Sequence, residues 1–181
     1  MKKILLHICC GICAAWCIER LKKEGFVVEG FFYNPNIHPR DEYLRRHEAA
    51  KKICSLSNIT LHDGECEPSM WLYMCEAYKS EAEGGKRCLL CYEMRLNATM
   101  RQAQNLGCDF FTTTLTISPH KKSSAIITIG NRIGGAYFLS IDFKKESGFM
   151  YTMQMAKQHE LYRQHYCGCV YSNSSIANEG C

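Results

Sequence analysis

Short runs of apolar and β-branched residues alternate with longer stretches of helical spacing along almost the whole chain. This alternation limits the fold more than any other feature. Strands separated by helices close into a parallel sheet covered on both faces, an α/β, Rossmann-like arrangement. The first strand is expected over Lys3–Ile8, running into an amphipathic helix that ends near Gly25. Phe26–Tyr33 follows as a strand, Asp41–Ser57 as a helix and Ile59–Leu61 as a short strand. Met70–Lys79 and Cys88–Leu106 read as helices, the second stopped by Gly107. Asp109–Thr114 reads as a strand, Pro119–Arg132 as a helix, Ala136–Ile141 as the last strand and Phe149–Gln164 as the last helix. No internal repeat or linker interrupts the series, so residues 1–181 are expected to form one domain.

In such sheets ligands bind beyond the carboxyl ends of the strands. That rule directs attention to the turn after the first strand, to NPNIHP after the second, and to LTISPHKK after DFFTTT.

The N-terminus, MKKILLHICCGICAAWC, is basic and then apolar, as a leader peptide would be. His7 interrupts the apolar run, and Glu19, Arg20, Lys22 and Lys23 follow at once, which favours a buried strand and helix. No apolar run approaches the ~20 residues of a membrane span. The expectation is a cytoplasmic protein without a membrane partner.

Hydrophobic residues make up 46% and charged residues 22%, which excludes overall disorder. The net charge of +4 is compatible with nucleic-acid binding without demonstrating it. The unusual number is 13 cysteines. An odd count argues against a fully paired secreted framework and for metal ligation or redox chemistry in a reducing compartment.

Cys9 and Cys10 sit at a strand-to-helix turn, where both thiols can converge on one site; they can equally be small buried hydrophobes. Cys88 and Cys91 form CLLC at a helix start, with both thiols on one face and GGKR supplying positive charge beside them. Such a pair is a zinc half-site, an iron–sulfur half-site or a redox dithiol. Together the two pairs give four thiolates, suited to zinc or to a cubane iron–sulfur cluster. Structural zinc favours two knuckle-like CxxC pairs, and the adjacent Cys9–Cys10 pair fits that poorly. Cys167 and Cys169 form CGC, which reads as a strained, labile disulfide, as a further metal half-site or as two thiols. Cys13 lies close enough to the first pair to bind a second metal, or it packs in the helix core.

Tyr33, Asn34, Asn36 and His38 flank or occupy the stiff NPNIHP loop as substrate contacts, although Asn and Pro form turns in any case. His120 and Lys121, at a helix start near the sheet edge, are candidate proton donors or substrate contacts. Arg40, Arg45, Arg46, Lys86, Arg87 and Lys122 read mostly as a solvated face with phosphate contacts among them. Neither GxGxxG nor GxxxxGK[ST] is present, so no nucleotide cofactor is evident.

HICCGIC, FFYNPNIHP followed by EYLRR, CLLCYEMRL, FTTTLTISPHK and LYRQHYCGCVYS together resemble the cobalamin-independent epoxyqueuosine reductases, in the same order from about residue 4 to 174. The resemblance implies a fold related to the adenine-nucleotide alpha-hydrolases. It implies a 4Fe-4S cluster on Cys9, Cys10, Cys88 and Cys91 and a redox-active disulfide between Cys167 and Cys169. The implied substrate is tRNA carrying epoxyqueuosine at the wobble position, reduced in the last step of queuosine synthesis with electrons from an unidentified donor and without cobalamin. Family members commonly place proline where this chain has Ile12; the position after it is Cys13, which leaves an accessory iron open. Without epoxide reduction, the same residues would suit a zinc- or iron–sulfur-stabilised RNA-binding module or a thiol-redox protein.

Overall fold

The computed structural model describes residues 1–65, 68–145 and 148–172. Four parallel strands form one sheet: β1 (Lys3–His7), β2 (Val27–Phe32), β3 (Leu61–Asp63) and β4 (Phe110–Thr113). Their order is β3-β2-β1-β4. The first strand made is therefore internal, with His7 level with Phe31 on one side and Thr113 on the other.

Alternation along β1 divides the core. Ile4, Leu6 and Ile8 face helices α1 (Gly11–Lys23), α2 (Arg40–Leu56) and α6 (Gly148–Gln158). Leu5 faces the opposite way, against Leu96 of α4 (Lys86–Asn105) and Ile126 of α5 (Ser123–Gly134). A short helix, α3 (Pro68–Cys75), seats Trp71 and Cys75 beside Cys91 and Cys169. Helices thus cover both faces, as expected. No helix among the described residues is long and apolar enough to cross a membrane.

Several expected boundaries move: the strand expected over Ile59–Leu61 lies at Leu61–Asp63, and the helix expected over Met70–Lys79 runs over Pro68–Cys75 with a 3-10 turn at Glu76–Tyr78. The strand expected over Ala136–Ile141 makes only an isolated parallel bridge, Phe138 to Phe111. Gly135–Tyr137 is a 3-10 turn, and beyond it the Leu139 and Ile141 carbonyls accept from the Thr112 and Thr116 hydroxyls at 2.8 and 2.9 Å. One backbone bond, from the Leu139 amide to the Phe111 carbonyl at 2.9 Å, joins these side-chain bonds in place of a full ladder. Helix α5 begins at Ser123 rather than Pro119: the Lys121 amide closes a turn on the Ser118 carbonyl at 3.3 Å, and Lys122, just before the helix, is extended (ψ 99°). Helix α6 ends at Gln158, six residues early. Glu160 adopts a left-handed φ of 50°, and the Leu161 amide closes back on the Ala156 carbonyl, a helix stop without the usual glycine.

Candidate functional site

Strand order reverses between β1 and β4, so the crevice beyond their carboxyl ends is the expected ligand site. Cys9 and Cys10 follow β1 directly, and Cys13 lies in the first turn of α1. Their three thiols lie within 4.8 Å of one another. The Cys9 amide donates to the Thr114 hydroxyl at 3.1 Å, and that hydroxyl lies 3.3 Å from the Cys9 sulfur. Gln164 donates to the Cys10 sulfur at 3.0 Å. Hydrogen bonds from Cys10 and Cys13, assisted by Arg95 and Thr114, hold the Cys9 thiol well below its ordinary pKa. The Cys10 thiol is pushed up to about 12, its hydrogen bond to Cys9 and its burial outweighing the lowering contact with Cys13. One thiolate among three close sulfurs is a donor set that suits thiophilic iron or zinc.

This group borders a cleft of about 420 Å³ whose wall includes His120, Lys121, Arg163, Gln164, Cys167 and Arg95. A smaller cavity adjoins it, lined by Cys88, Cys91, Cys167, Cys169 and Asn36. Arg95, Glu83, Lys121 and Cys167 line both. The structure therefore gathers Cys9 with Cys10 and Cys13, and gathers Cys88 and Cys91 with the CGC turn. Cys167 and Cys169 carry free thiols. The hydrogen bond from the Cys169 thiol lowers the Cys167 pKa to about 6, and the same bond raises Cys169.

The loop residues separate into distinct places. Asn34 is sealed from solvent; its amide donates to the Ile8 carbonyl at 2.9 Å and its oxygen accepts from Arg95 at 2.5 Å. Tyr33 stacks on Phe31 with ring centroids 6.0 Å apart. Asn36 lines the smaller cavity, and its buried Oδ1 has no hydrogen-bond partner. The His38 ring tilts against Trp71 at 5.7 Å, with its Nε2 buried and without a partner. His120 is exposed and Lys121 half-buried at the rim of the cleft.

A family model described as epoxyqueuosine reductase QueH matches residues 4–175. The chain belongs to this family. Among curated QueH proteins it is 36% identical to that of Streptococcus pyogenes serotype M1 over 178 residues, 93% of this chain and 69% of the relative. The QueH proteins of Dehalococcoides mccartyi and Thermotoga maritima are 36% and 35% identical, over 94% and 95% of this chain and 92% and 91% of their own length. All three relatives are named epoxyqueuosine reductases, which are oxidoreductases. A solved structure, the U34-tRNA thiolase NcsA from Methanococcus maripaludis with its 4Fe-4S cluster, superposes with a TM-score of 0.58 at 14% identity. The match covers 98% of this chain, which spans 62% of the thiolase. It shows the shared adenine-nucleotide alpha-hydrolase-like fold.

Beside the QueH cysteines stand residues that the sequence reading missed or placed on the surface. Arg46, Arg87 and Arg95 are all buried. Arg87 donates to the carbonyls of Tyr78, Lys79 and Glu81 at 3.2, 2.8 and 2.6 Å, next to the CLLC thiols. Thr114 and Gln164 touch thiol sulfurs directly. The available signal for Arg95 was its place one helical turn past Cys91 on the thiol-bearing helix.

Proposed function

We propose that this chain reduces epoxyqueuosine to queuosine at the wobble position of tRNA, in the reducing cytoplasm. Membership of the QueH family, together with four thiols and a CGC pair around two adjoining cavities, supports the reading. Cys9, Cys10, Cys88 and Cys91 would hold a 4Fe-4S cluster, and Cys13 an accessory iron. The thiol-rich, largely buried lining and the Arg95 guanidinium, which balances thiolate charge, fit that group. When bound, thiolate-held iron supplies one-electron transfer and a Lewis-acid position for an oxygen.

The rest of the reaction falls to the chain's own side chains. Removing the epoxide oxygen breaks both of its C–O bonds, leaves an alkene and releases water. Two electrons and two protons balance it. The Cys167 and Cys169 thiols release that number when they close to a disulfide, and an external donor must reopen it. Lys121 lines both cavities and His120 the larger one, so either can hand a proton to the departing oxygen. Rim cations, among them Arg163 and Lys121, suit an anticodon-loop backbone.

The test uses anaerobically purified protein. Brown colour, bound iron and sulfide, and conversion of epoxyqueuosine in tRNA are expected. Cys167→Ser and Cys169→Ser should keep iron and lose multiple turnover. Colourless protein with stoichiometric zinc and no reduction overturns the reading.

A further inference from the structure

The CGC turn is held by a network of buried hydrogen bonds. Three successive carbonyls of the turn are each captured. The Tyr166 carbonyl accepts from Arg46 Nη2 at 2.9 Å, and the Cys167 carbonyl from Arg46 Nη1 at 3.2 Å. The Gly168 carbonyl accepts from the His38 amide at 2.8 Å. Arg46 is itself fixed, because its Nε donates to Glu42 at 2.7 Å and both side chains are at most 4% exposed. Tyr162 donates to the second oxygen of Glu42 at 2.5 Å, and the Tyr166 hydroxyl donates to the His38 carbonyl.

A buried ion pair is costly to assemble, and one carboxylate would satisfy the guanidinium only in part. Here its remaining donors go to the backbone of the dithiol. An arginine suits this task, since its planar fork reaches two carbonyls and a carboxylate at once, whereas a lysine ammonium is a point donor. Gly168 completes the fit. Its φ is +93°, and a Cβ there would stand 2.9 Å from Ile37 Cγ1 and 3.2 Å from Arg46 Nη1. Within the held turn the Cys169 amide lies 3.4 Å from the Cys167 sulfur.

We propose that Arg46 is the positioning residue of the Cys167–Cys169 pair: by pinning the turn carbonyls it keeps the two sulfurs within closing reach and sets how readily they form a disulfide. The inference rests on the reading of this pair as the redox dithiol. Closing forms one Sγ–Sγ bond and passes two electrons and two protons to an oxidised partner, whose own disulfide breaks. Loosening the turn lowers the effective concentration of one sulfur at the other. The equilibrium then moves toward the dithiol.

The experiment equilibrates the iron-loaded protein anaerobically with graded thiol–disulfide buffers, from dithiothreitol to glutathione. The state of Cys167 and Cys169 is read by alkylation and peptide mass. Arg46→Lys keeps a cation beside Glu42 and loses the fork. It should keep its iron and shift the equilibrium about tenfold toward the dithiol, or ~30 mV for a two-electron couple. A merely structural role would lower the melting temperature and leave this equilibrium in place, so a shift below twofold overturns the proposal. Should the lysine variant fail to fold, Tyr166→Phe decides. It leaves the ion pair intact and should shift the equilibrium about threefold in the same direction; no shift overturns the proposal. A wild-type protein that never closes the bond in any buffer overturns the redox reading instead, which separates the two failures.

Discussion

Asn34 and Arg95 meet at 2.5 Å beneath the thiols, amide oxygen to guanidinium, and both are all but sealed from solvent. The same amide donates to the Ile8 carbonyl, the last before Cys9. One side chain thus ties the end of β1, the NPNIHP loop and α4 together under the site.

Asn34→Ala should leave a buried guanidinium and a buried carbonyl short of partners. A loss of about 1–3 kcal/mol is expected. Urea denaturation of the variant against the parent measures it, and an unchanged midpoint would contradict the tie.

His7 should make the fold acid-sensitive. Burial, with Arg95 as the second cause, lowers its pKa to about 3. The unfolded chain then takes up the proton first as pH falls. Stability from the neutral ring is complete above about pH 6.5 and is lost as pH drops toward 3. At pH 5 the loss is about 2 kcal/mol from this group. His7→Gln should flatten the decline between pH 7 and pH 5; an equally steep decline would refute the assignment.

Cys13→Ala tests the accessory iron. With its sulfur within 4.8 Å of both Cys9 and Cys10, the variant should lose roughly one iron per chain and most turnover, while keeping the cluster's visible spectrum. Full iron content would return Cys13 to a packing role. Metal analysis and absorbance on one preparation decide between them.

Gly11→Ala should disturb fold and metal together. A Cβ at Gly11 would stand 2.3 Å from the Ala49 carbonyl oxygen, so α1 must move away from α2. Overpacking of this kind costs typically ~1–3 kcal/mol. Because Gly11 lies between Cys10 and Cys13, iron content should fall with stability. Normal iron and an unchanged denaturation midpoint would show that the helices yield freely.

Much of this architecture was legible because it is local. Alternation in β1, the CLLC spacing and the turn at Cys9–Cys10 each depend on neighbours within a few residues. The buried Arg46 was not legible, because its backbone partners are carbonyls distant in sequence. Arg46 bonds to Tyr166, 120 residues on, and no local pattern distinguishes it from exposed Arg45. Ala136–Ile141 has strand composition, yet the hydroxyls of Thr112 and Thr116 occupy its carbonyls, a competition that only the assembled sheet reveals. Asn36 and His38 were expected to face a ligand; one borders the dithiol cavity, and the other's backbone amide holds the Gly168 carbonyl.

The internal position of β1 sets an order of events during synthesis. His7 leaves the ribosome 106 residues ahead of Thr113, whose hydroxyl meets its ring. At ordinary elongation rates that gap is roughly 5–20 s. For that interval Cys9 and Cys10 belong to a strand lacking one neighbour, and Cys88, Cys91 and the CGC turn emerge later still. On the proposed ligand set, a cluster held by Cys9, Cys10, Cys88 and Cys91 would form only after the last of the four has emerged. A cell making this protein therefore has to protect early-emerging thiols from oxygen before the fold can shelter them.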